Sequence, residues 1–104
     1  MTAEILLANE RKALANLCRA YHVLRLELFG SATDASFDPQ TSDLDFLVSF
    51  EPCTPSEHYE RYFGLLESLE ALLTRPVDLI EAQAMRNPYF VRAVNASKRL
   101  LYAA

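Results

Sequence analysis

The sequence predicts an α/β (α+β) fold, with helices packed on a small β-sheet, and three observations carry that prediction. VLRLELFG (23–30) alternates with the two-residue period of a strand. TPSE (54–57) is a helix start signal ahead of an apolar-periodic run. Short apolar stretches, DLDFLVSF and VDLI, are interspersed with helical segments, so the order reads helix, strand, strand, helix, strand, helix.

Each element has its own justification. Residues 3–21 are expected to form one helix, because Leu14, Leu17, Cys18 and Tyr21 follow i, i+3, i+4, i+7 spacing and Glu4 sits favourably in the first turn. In 23–30, Leu24, Leu26 and Leu28 are expected on one face, with Val23, Arg25, Glu27 and Phe29 on the other. Residues 31–42 read as a loop of small and polar residues punctuated by Asp38-Pro39, and loops of that length are usually functional or mobile. DLDFLVSF (43–50) is the second strand. Thr54 at the N-cap, Pro55 at N1 and Glu57 at N3 then open a helix whose expected core stripe is Tyr59, Tyr62, Phe63, Leu66, Leu69 and Leu73. Arg75-Pro76 ends it, VDLI (77–80) is a short strand, and Asn87-Pro88 caps a third helix running to about residue 97. Phe90, Val91 and Val94 form its apolar side, and RLLY (99–102) is a candidate last strand.

Composition bounds what such a chain does. With 104 residues, 51% hydrophobic and only two glycines, it suits one domain over residues 1–104 with a modest core. The net charge of −4 disfavours a general nucleic-acid surface, since little is gained from phosphate counterion release. Arg86, Arg92, Lys98 and Arg99 read as a solvated basic face. Cys18 and Cys53 form no metal-spaced pattern, no stretch reaches membrane-spanning length, and no basic region precedes the first apolar run. The expectation is a reduced, cytoplasmic setting without a membrane partner.

The chemistry concentrates at the second strand. Asp43 and Asp45 stand two apart, so they share one strand face with Cα atoms roughly 6.5–7 Å from each other. Leu44, Phe46, Val48 and Phe50 then point the other way. Two converging carboxylates either share a proton, which raises one pKa, or share a hard divalent cation such as Mg²⁺. Asp78, inside VDLI, is a third carboxylate in an apolar strand; it joins the pair if the two strands are neighbours. Glu81 falls on the opposite face from Asp78. Gly30-Ser31 closes the first strand, where a glycine permits close backbone approach and the amides and hydroxyl can cradle a phosphate. His22 and His58 have no Cys or acidic neighbours at metal spacing and read as ordinary helix or helix-end residues.

FGS, FDP, SDLDFLV, RPVDLIE and the tail NPYFVRAVNASKRLLYAA together resemble the nucleotidyltransferase superfamily related to DNA polymerase beta. The short length points to its minimal nucleotidyltransferase members, which serve as antitoxins beside HEPN-domain toxins. The resemblance implies a small mixed β-sheet, Gly30 and Ser31 holding the phosphates of ATP, and Asp43, Asp45 and Asp78 binding two Mg²⁺ ions. It further implies transfer of AMP to a protein hydroxyl, typically a tyrosine of a HEPN-domain partner, with homo- and hetero-oligomers both open. Many members carry Arg-Gly soon after the serine; here Asp34 and Ala35 stand in that region. That departure bears on nucleotide affinity and rate rather than on fold. It leaves a rival reading, a weakened family member that neutralises a partner by binding alone.

Overall fold

The computed structural model describes residues 7–33, 38 and 43–104. Three helices, α1 (Arg11–Ala20), α2 (Pro55–Leu73) and α3 (Pro88–Ser97), accompany four strands, β1 (Val23–Phe29), β2 (Leu44–Phe50), β3 (Val77–Glu81) and β4 (Arg99–Ala103). The sheet order is β3-β2-β1-β4. β1 is antiparallel to both β2 and β4, while β2 and β3 run parallel, so the sheet is mixed. RLLY is thus a strand, as its sequence suggested.

The first helix departs from the expected single run. Glu4 and the rest of 3–6 lie outside the described residues; Leu7 and Ala8 are helical, a turn intervenes at Asn9-Glu10, and α1 starts at Arg11. Asparagine competes with its own backbone and disfavours a helix interior, which accounts for the break. α1 stops where His22 turns left-handed at φ 57°.

β1 also breaks its expected alternation. A register shift between Val23 and Arg25 places Val23 in the core with Leu26 and Leu28 and leaves Leu24 41% exposed. One extra residue on one strand reverses the facing of everything before it. Beyond the shift the pattern holds, and β2 behaves as read: Leu44, Phe46 and Val48 are buried, with Phe50 packed at the margin.

α2 begins on the expected capping box: Glu57 N–H donates to Thr54 Oγ1 and Thr54 N–H donates to Glu57 Oε1, both at 3.3 Å. Its buried stripe is Leu65, Leu69 and Leu73, not one beginning at Tyr59. Tyr59 is 66% exposed and Phe63 42%, and both line an open groove beside β3 with Tyr62 and Ile80. Gly64 is explained by packing. A Cβ there would come within 2.4 Å of Tyr21 Cε1, so the glycine admits the Tyr21 ring, whose hydroxyl meets Ser68 Oγ at 3.2 Å.

The main core lies between the α1/α2 layer and one sheet face, gathering Leu14, Cys18, Leu26, Phe46, Leu65 and Leu69. A smaller cluster of Phe29, Leu47 and Val94 forms where α3 covers part of the opposite face. Asn87 starts α3 by accepting the N–H groups of Tyr89 and Phe90. The free edge of β3 is sealed by α2: Tyr62 donates to Leu79 O at 2.6 Å, and Val77 N–H donates to Glu70 Oε2 at 3.1 Å. No helix among the described residues is long and apolar enough to cross a membrane.

Candidate active site

The topology brings the sequence-predicted acids to one place. β2 is central, β1 ends where antiparallel β2 begins, and β3 starts alongside β2 in parallel. In register, Phe29 pairs with Asp45 and Asp45 pairs with Asp78. The side chains of Asp45 and Asp78 therefore occupy one sheet face on adjacent strands, whose spacing is about 4.8 Å. Asp43 lies just before β2 and is exposed, Asp78 is exposed, and Asp45 is half-buried between them. Glu81 is held away from this face by His58 of α2.

Gly30 closes the other side. At φ 74° it occupies a conformation that side chains rarely adopt, and a Cβ there would stand 2.6 Å from Asp45 Oδ2. The missing side chain is the space the carboxylate uses. Gly30 opens a 3-10 turn, Gly30–Thr33, that includes Ser31; the Ser31 side chain lies outside the described residues, as do Asp34, Ala35 and most of the FDP motif. Gly30's own N–H is not open to a phosphate, since it donates to Ser97 Oγ at 3.2 Å. Its carbonyl accepts from Thr33 Oγ1 at 2.9 Å.

Electrostatically the site is acidic, and among the described residues its aspartates have no ion-pair partner. Among the described residues every ion pair goes to a glutamate: His22 to Glu51, Arg25 and Lys98 to Glu27, His58 to Glu81, and Arg61 to Glu57. Asp43, Asp45 and Asp78 have none. Burial pushes the Asp45 carboxyl above its usual range, and the charges of Asp78 and then Asp43 push it further. The Tyr62 phenol is raised as well, by burial first and then by Asp78 and Glu81. The two histidines thus do find acidic partners, through space rather than at any sequence spacing.

A hard divalent cation fits this donor set. Carboxylate oxygens are its preferred ligands, and Mg²⁺ commonly needs only one or two of them beside water and phosphate. Asp45, penalised by its neighbours' charges, is the group such an ion would relieve. Among the described residues no three His, Cys, Asp or Glu side chains form a ready-made metal cluster, so the fit is to a shared ion completed by other ligands rather than to a closed cage. A groove of about 540 Å³ lies around the β3 edge, lined by His58, Tyr59, Tyr62, Phe63 and Ile80, apart from the aspartates.

The sequence profile of the family described as nucleotidyltransferase domain matches residues 10–101. The chain belongs to the nucleotidyltransferase domain family. A relative from Methanocaldococcus jannaschii, provisionally named a protein adenylyltransferase, is 34% identical over 84 residues, 81% of this chain and 82% of the relative. A solved structure provisionally assigned as a minimal nucleotidyltransferase superposes with TM-score 0.69 at 30% identity, covering 95% of each chain. A toxin-antitoxin structure containing AMP-PNP aligns with TM-score 0.66 at 20% identity, over 90% of this chain and 73% of that one. An MNT antitoxin structure with the tri-AMPylated HEPN toxin of Shewanella oneidensis gives TM-score 0.61 at 18% identity, over 93% and 72%. At these lower identities the likeness is one of fold. The mixed four-stranded sheet is accordingly the nucleotidyltransferase fold, and this nucleotidyltransferase carries its acids at the meeting of β1, β2 and β3.

Three residues touching this region had no signal in the sequence. Ser97 and Thr33 bond Gly30, and Lys98, read as part of a solvated basic face, reaches Glu27. The first and last of these contacts join residues about seventy apart, beyond the reach of any local pattern.

Proposed function

We propose that this nucleotidyltransferase acts as one domain that transfers AMP from ATP to a protein hydroxyl and releases pyrophosphate, as the antitoxin of a HEPN-domain partner. The observation that carries the proposal is the Asp45–Asp78 register with Gly30 pressed against Asp45, a cluster of negative charge that has no ion pair among the described residues, beside a backbone turn. Asp43 and Asp45 would hold Mg²⁺, with Asp78 as a ligand of a second ion; bound there, the metal supplies charge neutralisation at the phosphates. The turn at Gly30 and Ser31 orients the triphosphate for in-line attack. The acceptor oxygen bonds to the α-phosphorus as the α–β bridging P–O bond breaks, and the hydroxyl proton passes to Asp78. The provisional name of the archaeal relative and the AMPylated toxin complex support the acceptor class.

The test is incorporation of label from α-³²P-ATP with Mg²⁺ into a HEPN-domain protein taken from the neighbouring reading frame, which the proposal requires to exist. Label that appears with wild type and vanishes with Asp43→Asn supports the reading; no incorporation by wild type overturns it. The absence of the usual Arg-Gly at 34–35 favours a second reading, neutralisation by binding alone. A double Asp43→Asn, Asp45→Asn variant that still neutralises the partner fully selects that second reading.

A further inference from the structure

The junction between α3 and β4 takes two separate holds on β1. Lys98 Nζ lies 3.7 Å from Glu27 Oε2, and Arg25 Nε lies 3.2 Å from the other carboxylate oxygen. The Glu27 side chain is only 7% exposed, and a carboxylate that deep is tolerated when cations match it. One residue earlier, Ser97 spends its hydroxyl proton on the carbonyl of Ala93 (3.2 Å) or Val94 (3.4 Å) of its own helix. Its oxygen is thereby turned to accept the Gly30 N–H. Thr33 takes the carbonyl of the same glycine. Both polar groups of Gly30 are held by side chains, at the residue whose backbone has the most freedom to lose. Gly30 is also where freedom would matter most, because its Cα borders Asp45.

We infer that Ser97 is a positioning residue for the nucleotide site. Braced by the Lys98–Glu27 pair, its hydroxyl fixes the Gly30 turn against Asp45 and leaves the later amides of the turn, not Gly30's own, to meet a phosphate. The consequence for nucleotide binding rests on the function proposed above; the link itself does not.

The experiment therefore has two arms on the full chain, comparing wild type, Ser97→Ala, Ser97→Thr and Lys98→Met. In the first, amide hydrogen exchange of the ¹⁵N-labelled protein is followed by NMR. Loss of one hydrogen bond of ordinary net strength speeds exchange of the Gly30 amide about 3–10-fold in Ser97→Ala. Amides in the middle of β1 stay unchanged, Ser97→Thr restores protection, and Lys98→Met gives a smaller increase. In the second arm, calorimetry with ATP and Mg²⁺ shows affinity about 3–10-fold weaker in Ser97→Ala and recovered in Ser97→Thr. Gly30 exchange that is indifferent to Ser97→Ala overturns the link. Faster exchange with wild-type affinity overturns the positioning role. Should wild type itself not bind ATP, the nucleotide reading falls, and the exchange arm still decides the link.

Discussion

Replacing Gly30 by alanine tests the central contact of the site, and its cost can be worked from the geometry. At φ 74° an alanine pays left-handed strain of about 1–2 kcal/mol. Its methyl would also stand 2.6 Å from Asp45 Oδ2, inside the 3.0 Å that Cβ contacts essentially never breach, so the pair must open by at least 0.4 Å. Overpacking of that kind typically costs about 1–3 kcal/mol. Together these give a loss near 3 kcal/mol, which for a chain of this size lowers Tm by roughly 12 °C or more. The two parts separate in a double-mutant cycle with Asp45→Ala, which removes the clashing oxygen and leaves the backbone strain. Urea denaturation of the four proteins is expected to show a coupling of about 1–2 kcal/mol, with Gly30→Ala costing less when Asp45 is absent. Additivity within about 0.4 kcal/mol would mean that Asp45 does not sit against Gly30, and the site as described would be wrong.

Asp45→Asn is expected to abolish nucleotide transfer yet raise stability at neutral pH, measured by urea denaturation, because the half-buried, repelled carboxylate is a net penalty. A carboxyl with a raised folded-state pKa destabilises fully above that value, so the advantage of the variant shrinks as pH falls through it and is gone below the unfolded value. Thr54→Ala should cost about 1 kcal/mol by the same measurement. Hydrogen bonds from the Thr54 side chain and backbone hold the Glu57 carboxyl below its usual range, so its contribution is present at neutral pH and lost as pH falls through the depressed value; Thr54→Ala should flatten that acid limb. Burial pushes the Cys18 thiol up to about 11, so iodoacetamide at pH 8 should modify only Cys53 in the folded protein and reach Cys18 only on unfolding, as read by mass spectrometry.

Much of this architecture was legible because its signals are local. The Thr54-Pro55-Ser56-Glu57 start, the Asn87-Pro88 start and the core face of β2 each depend on residues within a few positions of one another, and each appears as read. The acids were legible for a related reason: an aspartate in an apolar strand is an anomaly visible without the fold. What the sequence left hidden depends on tertiary context. The register shift in β1 is a single-residue backbone event with no effect on composition. Tyr59 and Phe63 keep perfect helical spacing with Leu66 and Leu73, yet only the position of α2 over the sheet decides which part of the stripe finds a core. The pairing of Ser97 with Gly30 belongs to the same class.

The distribution of charge is what supports the ligand role proposed for these aspartates. Glu27 is more deeply buried than Asp45, and two cations converge on it, as expected for a carboxylate kept for the fold. Glu57 caps a helix, and Glu51 and Glu81 each engage a histidine. Asp45 sits on the central strand with two further carboxylates in reach and, among the described residues, no cation. Glu27, Glu51, Glu57 and Glu81 each have a protein partner, whereas Asp45 has carboxylate neighbours at a backbone turn; on the function proposed above, the compensating positive charge comes from what binds there. On that proposal the positive charge arrives with, or is followed by, a group that uses the turn as well as the acids. A cation carrying phosphate oxygens satisfies both walls of the site at once, and a cation alone satisfies only one.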